Sequence, residues 1–251
     1  MRGPRAVLFD MFDTLVRFDP ERLPAVEIGG RRFRSSAGRL HAIATQFWPS
    51  LSLEMFHEAF IESFREAERR RATSHREIAA PERFAMFYDR LGIRAETVPA
   101  ELTGRFLDEH MTCLAGAATP MPGLQGLLDW LRGRHPLGVV SNFDYTPTVR
   151  RILADTGLLD RFETIVVSDA VGWRKPSPAI FDVALRHLEI PPEGCLFVGD
   201  RADIDVLGAK QVGMAVAWLN PARAPLPAGL PAPDFDLPGL DALRPVLEKT
   251  S

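Results

Sequence analysis

The chain has 251 residues, 46% of them apolar and 25% charged, with a net charge of −3. This size suits one large domain, or a core carrying a smaller one, and the charge argues against the broad basic field that nucleic acid or a membrane surface would require. Two isolated cysteines, Cys113 and Cys195, have neither CxxC spacing nor a nearby His cluster, which argues against a disulfide framework or a zinc site and fits a reducing cytoplasm.

The first predicted element is a strand over residues 6–9, a short apolar run that ends at Asp10 in "FDMFDTL". The start of the sequence reaches this charge after only four apolar residues, and nowhere do about 18 apolar residues run together, so the expectation is a soluble, cytoplasmic protein. Residues 16–118 read as a long insertion. It opens with "AVEIGGRRFRSS", where alternating residues around Gly29 and Gly30 predict a hairpin. Apolar residues at helical spacing follow, such as Met55, Phe56, Ala59 and Phe60, then Phe84, Phe87, Tyr88 and Leu91, and predict three or more amphipathic helices. Their aromatics read as core packing. His41, His57 and His75 read as surface or capping groups, and Arg31, Arg32, Arg34 and Arg39 as mostly solvated cations.

Further strands are predicted at 137–140, 164–167, 196–198 and 215–218, with helices at about 147–156, 178–188 and 203–212 between them. This alternation predicts an α/β fold, a Rossmann-like open parallel sheet. Residues 1–15 and 119–251 would form that core, and 16–118 a hairpin flap and an α-helical cap. The Pro-rich stretch 220–240 reads as an ordered surface loop before the last short strand.

In open sheets of this kind, ligands sit beyond the carboxyl ends of the strands. Asp10 follows the first run, Ser141-Asn142 the second, Lys175 lies shortly after the third, and Gly199-Asp200 with Asp205 follow the fourth. Each alone is an ordinary turn or capping residue. Four together supply a nucleophile, a hydroxyl, a cation and metal-binding carboxylates. There is no GxGxxG, GxxxxGK[ST], GxSxG or HExxH, so dinucleotide, P-loop, serine-hydrolase and zincin readings lack support.

The set "LFDMFDTL", "VVSNFD", "GWRKPSPAIF" and "FVGDRADIDVLGAKQVGM" resembles the four motifs of the haloacid dehalogenase-like hydrolases, and in particular the subgroup of domain-containing protein 3. The resemblance implies an aspartyl phosphate at Asp10, with Mg²⁺ held by the Asp10 carboxylate, the backbone carbonyl of Phe12 and Asp200, and with Asp205 orienting its water shell. It also implies that Ser141 and the backbone around Asn142 bind phosphate oxygens and that Lys175 offsets negative charge. The substrate implied is a small phosphorylated molecule, acted on by a monomer or homodimer.

One position departs from the pattern. Phosphatases of the family read DxDxT, and the second Asp serves as general acid and base; here Phe12 stands in its place. General acid catalysis contributes about 10² to 10⁴-fold, so alkyl phosphates should turn over slowly. Haloacid dehalogenases also carry an aromatic residue there, since a departing halide needs no proton, but they use no metal and lack the Gly-Asp pair. A metal-independent 2-haloacid dehalogenase is therefore the alternative reading, and a catalytically weak phospho-ligand-binding protein a further one. Asp13 reads as a brace of the turn or as a substitute proton donor.

Overall fold

The computed structural model describes residues 3–250. From the first strand, β1 (Ala6–Phe9), the chain passes through β2 (Val16–Phe18) into the hairpin β3 (Ala25–Ile28) and β4 (Arg31–Arg34). Helices α1 (Ala37–Ala44), α2 (Leu53–Ser74), α3 (Ala80–Arg90) and α4 (Ala100–Gly116) follow. The chain then runs through β5 (Ala118–Pro120), α5 (Leu124–Leu131), β6 (Leu137–Ser141), α6 (Thr146–Asp155), β7 (Thr164–Val167), α7 (Ser168–Val171) and α8 (Pro178–Leu188). Last come β8 (Cys195–Gly199), a π-helical turn (Ala202–Val206) leading into α9 (Leu207–Gln211), β9 (Ala215–Leu219), β10 (Phe235–Leu237) and α10 (Leu243–Thr250). Two compact units result, one built from the residues up to Arg17 and from Thr119 onward, the other from Phe18–Ala118.

The first unit is a six-stranded sheet in the order β10-β9-β8-β1-β6-β7. Every pairing in it is parallel. The predicted apolar runs form these strands because both faces are covered: all four residues of β1 and all five of β6 and β8 are buried. On one face Phe181 from α8 meets Phe197 from β8 edge to face at 5.2 Å, within a cluster that includes Val206, Ala209 and Val216. With β1 at the centre, its carboxyl end stands between those of β6 and β8. Residues far apart in sequence thus meet around Asp10. In the Pro-rich stretch, β10 pairs with β9 and 221–234 carry no regular structure.

The second unit is helical apart from its hairpin. Gly29 and Gly30 take φ of 55° and 72°, the left-handed geometry of a two-residue turn matched to strand twist. Ser52 caps α2 by accepting from the Met55 N–H at 3.2 Å, and His75 ends it in the left-handed region. The inward stripes of α2, α3 and α4 join Phe56, Phe60, Phe84, Phe87 and Phe106 into one aromatic cluster, with Phe56 and Phe87 only 4.8 Å apart. His41 bonds the Leu51 carbonyl at 2.7 Å, while Arg34 pairs with Glu21 and Arg39 with Glu109. Cys113 and Cys195 are free and buried. Among the described residues no helix is long and apolar enough to cross a membrane.

Candidate active site

Asp10 is the first residue beyond β1, and its N–H donates to the Val198 carbonyl at 2.8 Å, which fixes the carboxylate at the sheet's edge. Asp200 follows β8, and Asp205 lies on the π-helical turn one turn later. One carboxylate oxygen from each of these three residues lies within 4.8 Å of the others. Lys175 comes from the segment between α7 and α8. Its Nζ contacts the Asp10 carboxylate and lies 2.8 Å from Asp205 Oδ1, and its side chain is 1% exposed. The other Asp205 oxygen accepts the Arg201 N–H at 3.0 Å. Gly199 makes this approach possible: a Cβ there would stand 2.5 Å from Asp205 Oδ2.

Two of the three carboxylates thus pair with one ammonium, and the third, Asp200, stands close to both. Burial, helped by the Asp205 charge and opposed by Lys175, raises the Asp10 pKa to about 6. Asp200 is pushed to about 7, first by burial and then by the charges of Asp10, Asp205 and Asp13. Burial works against the Lys175 charge, but Asp10 and Asp205 outweigh it and raise its pKa. An oxygen-rich, electron-rich cluster whose members repel one another is the donor set that a hard divalent cation neutralises. The residues present therefore fit Mg²⁺.

Ser141 ends β6, is 1% exposed, and its Oγ has no hydrogen-bond partner among the described residues. A buried hydroxyl without a partner is an unusual expense in stability, and a bound oxyanion would remove it. Asn142 does something its position in the sequence does not reveal. Its side chain accepts the Lys175 N–H at 2.7 Å and donates to the Lys175 carbonyl at 3.0 Å, so it holds the backbone that presents the lysine. The loops after β6 and β7 are further tied by Ser168, whose Oγ bonds both N–H and carbonyl of Phe143. Reading the sequence missed this clamp because its partners are 33 and 25 residues apart.

Phe12 is half-buried and stacks on Phe143 at 5.4 Å. Asp13 takes φ 57°, which Asp tolerates, and its N–H donates to the Val16 carbonyl at 2.6 Å, bracing the turn. Asp10, Phe12, Asp13, Asn142, Lys175, Asp200 and Asp205 all line a cleft of about 250 Å³, whose wall also includes Arg174 and Arg201.

With this geometry in place, comparison with known proteins gives its lineage. A model of the family described as haloacid dehalogenase-like hydrolase matches residues 4–213. The chain belongs to the haloacid dehalogenase-like hydrolases. It is 36% identical over 169 residues to the pyrimidine 5'-nucleotidase YjjG of Escherichia coli, covering 66% of this chain and 70% of that one. It is 27% identical over 242 residues to a glyceraldehyde 3-phosphate phosphatase of Methanopyrus kandleri, covering 96% and 94%. Among solved structures, a 2-haloacid dehalogenase from Pseudomonas syringae shares the fold with a TM-score of 0.69, at 23% identity and full coverage of both chains.

Proposed function

We propose that this hydrolase is a Mg²⁺-dependent phosphatase of small phosphorylated molecules that works through an aspartyl phosphate at Asp10. The observation that carries the reading is the convergence of Asp10, Asp200 and Asp205 within 4.8 Å, with Lys175 paired to the first and third, since three acids so close and so little exposed call for more positive charge than one lysine supplies. The nucleotidase and sugar-phosphate phosphatase names of its relatives support the same substrate class.

Asp10, the Phe12 carbonyl and Asp200 would hold the ion, and Asp205 would orient the waters around it. When bound, Mg²⁺ supplies charge neutralisation for the phosphoryl oxygens. One oxygen of Asp10 is held by Lys175, and the other attacks phosphorus in line as the bond to the leaving oxygen breaks. Ser141 Oγ, together with the backbone at Asn142, donates to the nonbridging oxygens. Water then hydrolyses the aspartyl phosphate and returns Asp10. Phe12 cannot give the leaving oxygen a proton, so substrates with good leaving groups should turn over fastest.

The Phe12 ring, flat against Phe143, favours a second reading, a dehalogenase in which Asp10 displaces halide from carbon. Turnover of p-nitrophenyl phosphate with Mg²⁺ decides between them. Activity that vanishes with EDTA and in Asp10→Asn supports the phosphatase. Chloride release from 2-chloropropionate without metal supports the dehalogenase, and tight phosphate binding with no turnover would mean a binding protein instead.

A further inference from the structure

Beside the catalytic cleft the same unit carries a second cavity of about 340 Å³, and Asp13 and Asp200 belong to the walls of both. The two cavities differ in charge. The cleft has Arg174, Lys175 and Arg201 in its wall, whereas the second cavity has neither lysine nor arginine. Its remaining surface is largely apolar: Met121, Trp218, Leu219, Ala224 and Leu240, with two prolines.

The polar groups nearby are already engaged. Trp218 donates its indole N–H to the Asp200 carbonyl at 2.8 Å, which locks the ring in place. The Asn220 amide accepts the Ala224 N–H at 2.9 Å and donates to the Ala224 carbonyl at 3.0 Å, pinning the loop after β9. What remains for a ligand is a set of rigid apolar faces, with carboxylates only on the side towards the catalytic cleft. A preformed apolar wall with one polar boundary is the ordinary make-up of a small-molecule site, and rigidity lowers the entropy lost on binding.

The geometry points to a leaving-group subsite: this cavity receives the uncharged, ring-sized apolar part of a phosphomonoester whose phosphate lies at Asp10, and it excludes leaving groups that carry a second anion. The inference rests on the phosphatase reading above. A ring in this cavity would bury apolar surface against Met121, Leu240 and the edge of the fixed indole. A carboxylate or second phosphate in the same place would lose its hydration among apolar side chains, find no lysine or arginine in the cavity wall to pair with, and meet the Asp13 carboxylate instead.

The test uses Ala224→Phe, which fills the cavity from an exposed position on the loop. With Mg²⁺, wild-type protein should show kcat/KM about tenfold higher on phenyl phosphate than on 3-carboxyphenyl phosphate. Ala224→Phe should lower the ratio of phenyl phosphate to acetyl phosphate turnover by about tenfold, because acetyl phosphate is too small to use the cavity. Equal rates on the two aryl esters, or a ratio within about twofold of wild type, overturns the inference. A second arm, titration of phenol followed by NMR, contains no phosphate and so decides the subsite separately. Phenol should broaden on binding wild type and bind at least about fivefold more weakly to Ala224→Phe; equal binding, or none to wild type, overturns the subsite. Absence of turnover on every ester, with phenol bound as expected, removes the phosphatase reading and leaves the subsite standing. Should Ala224→Phe not fold, the wild-type preference between the two aryl esters and phenol binding to wild type decide it.

Discussion

Buried charge occurs in both units of this protein, and it has a different meaning in each. At the carboxyl edge of the sheet, Lys175 is enclosed with Asp10 and Asp205, groups brought together from three distant segments. In the helical unit, Arg83 is fully buried with its guanidinium 3.7 Å from the Phe64 ring, and His110 is buried beside Phe60 and Phe84 with its Nδ1 bonded to Ser36 at 2.8 Å. The first arrangement concentrates like charges, which ordinary packing does not select. The second surrounds polar groups with aromatic faces and is a way of filling a core. Buried charge points to chemistry where like charges are gathered together, and to packing where a single polar group is enclosed by aromatic rings.

Removing the lysine gives the largest break in that contrast. Lys175→Met leaves two carboxylates enclosed without their cation; the metal-free variant should lose about 3–5 kcal/mol in urea unfolding, and turnover measured with Mg²⁺ should be lost as well. A variant as stable as wild type would show that the acids are better hydrated than their burial implies. In the helical unit, Phe56→Ala removes a fully buried ring that touches Phe60, Phe87 and Phe106 and should cost about 3–5 kcal/mol. Hydrogen exchange should show that loss concentrated in α2, α3 and α4, and a uniform loss across the sheet contradicts the division into two units.

Gly199→Ala is a smaller and more local change. The new methyl collides with Asp205, so about 1–3 kcal/mol of stability should go. The Mg²⁺ concentration needed for half-maximal activity should rise as well, and activity assays across a Mg²⁺ series measure it.

The finest test is the response of each unit to pH without metal. Asp10 and Asp200 have folded pKa values of about 6 and about 7, above the ordinary carboxylate value, so between about pH 4 and 7 the folded core binds more protons than the unfolded chain. Core stability should therefore rise as pH falls through that window, and Mg²⁺ should stabilise more at pH 8 than at pH 5. His110 behaves oppositely. Burial, and then the Arg83 charge, hold its pKa well below the usual value, so the unfolded chain takes up the proton first and the helical unit should weaken as pH falls below about 6.5. Hydrogen exchange at pH 5 and 7.5, corrected for intrinsic rates, reads both; parallel responses from the two units would erase the contrast.

Strands and helices were legible because their signals are local. Unbroken runs such as "AVLF" and "LGVV" read as strands covered on both faces, and the Gly29-Gly30 turn carries its own backbone requirement. The carboxyl-end position of Asp10, Ser141 and Asp200 follows from where those runs stop. Family membership was likewise readable in the four motifs. Helix α5 and the buried Arg83 and His110 were not singled out, since a short amphipathic segment and isolated polar residues leave no distinct pattern.

Sequence alone determined the buried strands of the parallel sheet and which residues stand at their carboxyl ends, because a strand covered on both faces is an unbroken local apolar run and its end is where that run stops. Tertiary structure alone decided that Asn142 clamps the backbone of Lys175, that Asp205 has one oxygen beside the ammonium and the other on the Arg201 N–H, and that Asp13 and Asp200 stand between a cation-lined cleft and an apolar cavity. Those features rest on contacts between segments that only the stacking of β8, β1 and β6 brings together, and no local pattern encodes such contacts.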